Sequence, residues 1–97
     1  MASYSLSTRA QFDLVGIYKY GIWYFGQNQA TTYLHELERF LLELSNRQEL
    51  AKDATFISNA LKYYNFRAHV IFYLFDDNGE IYAVRVLGKR MNFIEHL

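Results

Sequence analysis

The chain contains no cysteine and no proline. Without cysteine there is no disulfide and no thiol chemistry, and a zinc site would need histidines and carboxylates alone. The three histidines, His35, His69 and His96, lack the spacing of a metal motif, so neither a metal nor any other cofactor is expected. Without proline, strand edges and loop stops fall to glycine, asparagine and charge. Charge of one sign is missing as well: ten basic residues balance ten acidic ones. Bulk attraction to nucleic acid, whose affinity comes mostly from neutralised phosphates, is therefore not expected, and neither is specific nucleic-acid binding. The longest apolar runs are too short to span a bilayer, and no signal-peptide pattern opens the chain, which makes a cytoplasmic protein the expectation.

What is abundant is apolar and aromatic surface. Of the 97 residues, 52% are hydrophobic and 19% aromatic. That suffices for one domain, residues 1–97, to fold around its own core. Ser3 to Leu6 reads as a short strand. Ser7 or Thr8 then caps a helix, with Gln11 completing a capping box. Ala10, Leu14, Ile17 and Tyr18 form its stripe, Trp23-Tyr24-Phe25 extends it to a tip where Trp23 is either buried or an exposed hot spot, and Gly26 stops it. A second helix begins near Asn28 with the stripe Ala30, Tyr33, Leu34, Leu37, Phe40, Leu41 and Leu44. The short connection makes an antiparallel hairpin. Ser45 to Asp53 reads as loop. Phe56-Ile57 and Leu61 to Phe66 read as one strand or as a turn and a strand, with Ala54 to Leu61 alternatively a short helix.

The strongest local signal is Asn78-Gly79 between two β-branched and aromatic runs, which predicts a hairpin with a two-residue type I′ turn. That turn pairs Phe75 with Tyr82, Tyr73 with Val84, Phe72 with Arg85, Ile71 with Val86 and His69 with Gly88. One face then carries Ile71, Tyr73, Phe75, Tyr82, Val84 and Val86 and packs on the helices. The other carries Val70, Phe72, Leu74, Ala83, Arg85 and Leu87, and is apolar enough to predict cover by another chain. The fold class is α+β: a short N-terminal strand, a helix hairpin on an antiparallel sheet of three or four strands, and a short C-terminal tail.

Three blocks make this chain similar to the ParE-type toxins of the RelE/ParE superfamily. They are Leu6-Ser7 with Ala10, Asp13-Leu14, Ile17 and Tyr20; Trp23, Gly26, Gln29-Ala30, Tyr33, Leu37 and Glu38; and His69 to Tyr73, Arg85 to Leu87, Arg90-Met91 and His96-Leu97. The resemblance implies a toxin of a type II toxin–antitoxin module. It would bind DNA gyrase, stabilise the cleavage complex without enzymatic activity, and be neutralised by the tail of a ParD-like ribbon-helix-helix antitoxin. The chain departs from the family at Asn92 and in lacking Pro and Gly over 46–53. Gly88-Lys89-Arg90 is closer to the RelE style, whose members cut messenger RNA on the ribosome. In that alternative Arg90 would hold phosphorane charge, and His69 and His96 would be the titrating pair. A third reading is a partner that binds the antitoxin and does nothing else.

For binding of target or antitoxin, the candidates are Arg67, Phe72, Arg85, Lys89, Arg90, Met91 and Phe93. They combine local positive charge, which steers encounter, with apolar contact. Arg85, alone amid apolar residues, reads either as an anchor for a partner's carboxylate or as a structural residue whose stem covers Phe72. His69 reads as a structural residue bonding across the sheet end. His35 reads as surface.

Overall fold

A computed structural model describes residues 3–97. β1 (Tyr4–Leu6) leads into α1 (Thr8–Phe25) and α2 (Gln27–Asn46). A 3₁₀ turn (Gln48–Leu50) follows, then β2 (Lys52–Asp53), β3 (Lys62–Phe66), β4 (His69–Phe75), β5 (Ile81–Gly88) and α3 (Phe93–His96). The sheet has five strands in the order β1-β5-β4-β3-β2, one more than the most expected from sequence. The extra one is β2, a two-residue edge bearing Lys52 and Asp53. An edge that short and charged offers little template for another strand. β1 pairs with β5 in parallel; the other pairings are antiparallel.

Ser7 ties the first helix to the sheet. Its hydroxyl accepts from the Ala10 amide (2.9 Å) as the helix N-cap and donates to the Val84 carbonyl of β5 (2.6 Å). Gly26 alone joins the helices, a shorter link than the sequence suggested. Its φ of 88° reverses the chain, and such a positive φ favours glycine. Deeper in the hairpin, a Cβ built on Gly21 would lie 3.0 Å from the Ala30 Cβ, so α1 and α2 cross there at backbone distance.

The β4–β5 hairpin corrects the predicted turn. Gly79 has a positive φ (77°) but Asn78 does not, whereas a type I′ turn requires it at both. The Asp76 carboxylate accepts from the amides of Asn78 and Glu80, both at 2.9 Å, and Asp76 and Glu80 close the loop across it. The result is a three-residue loop with glycine in the left-handed position. Phe75 therefore pairs with Ile81, not Tyr82, and Tyr73 with Ala83, not Val84. A β-bulge at Val84 then inserts one residue, so Phe72–Arg85, Ile71–Val86 and His69–Gly88 pair as predicted. The two departures cancel. Ile81 and Ala83, rather than Tyr82 and Val84, face the helices.

One core lies between the sheet and the hairpin, built on Leu14, Leu37, Leu41, Leu44, Ile71 and Tyr73. The Tyr73 hydroxyl has no hydrogen-bond partner there, and burial pushes its pKa up to about 12. Because a buried hydroxyl without a partner forfeits its hydration, Tyr73→Phe is expected to leave stability unchanged or raise it by about 1 kcal/mol, read from denaturant midpoints.

The second core covers the opposite sheet face and corrects the expectation of a foreign chain there. Ala54, Ile57 and Leu61 from the turns after β2, and Phe93 and Leu97 from the tail, pack on Val70, Phe72 and Leu87. The segment after β2, whose reading was left open, and the C-terminal tail carry enough apolar residues to seal the face from within.

Candidate partner-binding groove

At the hairpin tip, α1 and α2 part from the sheet and leave a cavity of about 350 Å³. Its walls are apolar: Ile17, Tyr20 and Phe25 from α1, and Ala30 from α2. Ala68 and His69, at the β3–β4 turn, form the other side. Ile17, Tyr20, Ala68 and His69 also border a second hollow, which runs past Gly16 and Asp13 to Gly88, Lys89, Arg90 and Met91. Together they form a groove with an apolar floor and cations at one end.

A polar pair marks the floor. Tyr33 Oη and His69 Nδ1 are 2.7 Å apart, with the rings edge to face. Burial lowers the His69 pKa and raises that of Tyr33. The neutral imidazole and the tyrosine hydroxyl therefore share one hydrogen bond at Nδ1. His69 bonds to a helix, not across the sheet end. Arg67 stands above the pair, with its guanidinium over the Tyr33 and Phe66 rings and paired with Glu36.

Both features yield expected outcomes. A base whose folded pKa is depressed contributes stability that is present above its unfolded pKa, near 6.5, and lost as pH falls through the folded value. Thermal midpoints should therefore drop as pH falls below about 6.5, and His69→Gln should flatten that slope. Arg67 has a φ of 52° at the first position of a two-residue turn, where glycine is easier. Relief of that strain offsets part of what is lost with the half-exposed ion pair to Glu36. Arg67→Gly should then shift the melting temperature by less than about 4 °C while weakening any partner held by this rim.

The candidate residues do not all converge. Lys89, Arg90 and Met91 line the groove together, His69 lies on the same groove, and Arg67 sits over its floor. Phe72 is only 1% exposed, beneath Phe93, whose ring packs edge-on at 5.1 Å. Neither presents a free surface beside Arg90. His96 borders a different hollow, with Arg9, Ser58 and Leu74, so the proposed titrating pair is not assembled.

Arg85 has the structural of its two readings. Its Nε and Nη2 donate to the two oxygens of Asp13 at 2.8 and 2.9 Å, and Nη1 donates to the His96 carbonyl. Asp13 also accepts from the Val86 amide at 2.9 Å, where β5 runs beyond β1 and would otherwise leave that group open. The ion-paired side chains are 12% and 14% exposed. The Asp13 hydrogen bond raises the Arg85 pKa, fixing its charge. An anchor for an outside carboxylate is thus already satisfied from within.

Sequence reasoning missed Asp13, Tyr20, Phe25 and Tyr33 as site residues. A signal was present for Asp13: it is the one carboxylate on α1, as Arg85 is the one cation within β5. The aromatic residues of α1 outside its stripe were a second signal. Of the two readings of Trp23, the structure shows the exposed one: it is 83% exposed, not buried at the tip.

A family model described as the ParE toxin of the type II toxin–antitoxin system parDE matches residues 4–93. The chain belongs to this family. A solved chain titled as the chromosomal ParDE TA system from P. aeruginosa shares the ParE fold seen here, with a TM-score of 0.76. The match covers 91% of this chain and 96% of that one at 14% identity, a likeness of fold alone. No curated protein matches this ParE-family chain by sequence. Among its described residues no helix is long and apolar enough to cross a membrane.

Proposed function

We propose that this ParE-family chain is a toxin that works by binding other proteins: it holds DNA gyrase in its cleavage complex and is neutralised by a ParD-like antitoxin. The family match over residues 4–93 carries this reading, and the groove supports it. Its apolar floor suits side chains from an amphipathic segment, and Lys89 and Arg90 suit acidic residues flanking them. A disordered antitoxin tail that folds on contact can satisfy both. No cofactor takes part, and the cytoplasm, where gyrase works, is the compartment this reading requires.

The second reading, a ribosome-dependent ribonuclease, draws on His69 and Arg90 sharing one groove. It is weakened by the Tyr33 bond that occupies Nδ1 of His69 and by the placement of His96 elsewhere. Supercoiling by purified gyrase separates the readings. Inhibited supercoiling with trapped double-strand breaks supports the first. Intact supercoiling together with messenger RNA cut in a translation extract overturns it for the second. Binding of antitoxin with neither effect leaves the inert partner.

A further inference from the structure

The outer face of α1 lies on the side of that helix away from its buried stripe and carries large apolar residues. Phe12 is 70% exposed and Trp23 83%, and Val15 and Ile22 are exposed beside them. Along the crest of this face stand Phe12, Gly16, Lys19 and Trp23, spaced by four, three and four residues. That spacing keeps them in one line on a helix, and it reads the same in either direction. A Cβ built on Gly16 would meet nothing within 4 Å, so the middle of the crest is a notch.

We propose that this face is a self-association surface, occupied by a second copy of the chain with the two α1 helices antiparallel. A two-fold axis midway between residues 17 and 18 sets Phe12 against the partner's Trp23, and Gly16 against the partner's Lys19. Residues flanking the crest on the same side also come close, with Val15 nearest the partner's Ile22 on a diagonal, offset by about 3 Å along the helix axis. Phe12 and Trp23 bury one aromatic pair at each end. The notch at Gly16 admits the stem of the opposing lysine, whose ammonium reaches solvent. The area is adequate. At about 150–250 Å² per aromatic, and less for the aliphatic residues, Phe12, Val15, Lys19, Ile22 and Trp23 leave roughly 600 Å² per copy. Two copies then bury about 1,200 Å², the floor for a specific interface. Zero net charge sets no long-range repulsion against pairing. The face touches the groove only at its Gly16 edge, and this inference does not depend on the toxin reading.

Sedimentation equilibrium of the purified chain at micromolar to submillimolar concentration is expected to show a monomer–dimer equilibrium. Trp23→Glu should weaken the dimer roughly thirtyfold or more, the scale of a hot-spot residue. Lys19→Leu should tighten it, because two like charges leave the centre of the contact. Both positions are exposed, and unchanged thermal melts would confirm intact folds. Register is testable because the chain has no cysteine. Val15→Cys mixed with Ile22→Cys should form a disulfide-linked pair on oxidation, and Ile22→Cys alone should not. A chain that stays monomeric throughout overturns the proposal. So does a dimer indifferent to Trp23→Glu, or a cross-link as efficient in Ile22→Cys alone.

Discussion

Asp13→Ala is expected to destabilise the chain by about 3–5 kcal/mol, the cost of stranding a buried charge. The Asp13 carboxylate holds Nε and Nη2 of Arg85 and the amide of Val86 at the same time. Truncation leaves a guanidinium without its counter-charge and a strand amide without an acceptor. In a domain with about 5–15 kcal/mol of total stability, that loss lowers the melting temperature by tens of degrees. Its effect should reach the C-terminus, because the same guanidinium donates to the His96 carbonyl and keeps Phe93 and Leu97 on the second core. Amide exchange should accelerate in residues 93–97 as well as at Val86. The double replacement Asp13→Leu with Arg85→Met should recover much of the loss, since two apolar side chains of similar volume strand no charge. A double variant as unstable as Asp13→Ala would show that the pair does more than neutralise itself.

Lys89→Glu with Arg90→Glu is expected to slow association with the partner of the groove by about ten- to a hundredfold, with little change in thermal stability. Both side chains are exposed at the end of β5, where the groove opens, and neither forms an ion pair among the described residues. Reversal turns a positive rim into a negative one. The effect should fade in high salt, because exposed charges are screened over about 8–10 Å at ordinary ionic strength. Surface plasmon resonance against a ParD-like antitoxin, and gyrase supercoiling, read the two partners separately. Equal association rates for parent and variant in low salt would remove the rim from the site.

These two variants mark different depths of inference from sequence. The cationic pair was legible because nothing apolar surrounds it and it follows the strand end. The Asp13–Arg85 pair was half legible. An arginine amid Val84, Val86 and Leu87 demands a partner, but the carboxylate is 72 positions earlier in the chain. Only the parallel docking of β1 beside β5 brings α1 there. Phe72 was misjudged for a similar reason. Its strand and face were read correctly, but its cover comes from Phe93 and the turns after β2, whose patterns are too short to have a period.

The helix hairpin illustrates the opposite case. Ala30, Leu37, Leu41 and Leu44 recur at helical spacing and are all buried. The α1 stripe is weaker: Ala10 and Leu14 are buried and Ile17 half-buried, while Tyr20 and Phe25 of the groove and the residues of the outer face lie off it. Periodicity identifies the side that packs. It says nothing about large aromatics on the other side, so it could not decide between a buried and an exposed Trp23, which stands in solvent.

The sequence alone determined the helix hairpin, the β4 and β5 strands, the fold class and the pairing of β4 with β5 from Phe72 outward, because helical and strand periods are local and each apolar stripe must be buried. It also ruled out thiol chemistry. Tertiary structure decided which apolar face the chain covers for itself, which charges meet, and where a groove remains. Those depend on contacts between residues tens of positions apart, and no local pattern encodes which distant segment arrives to make them.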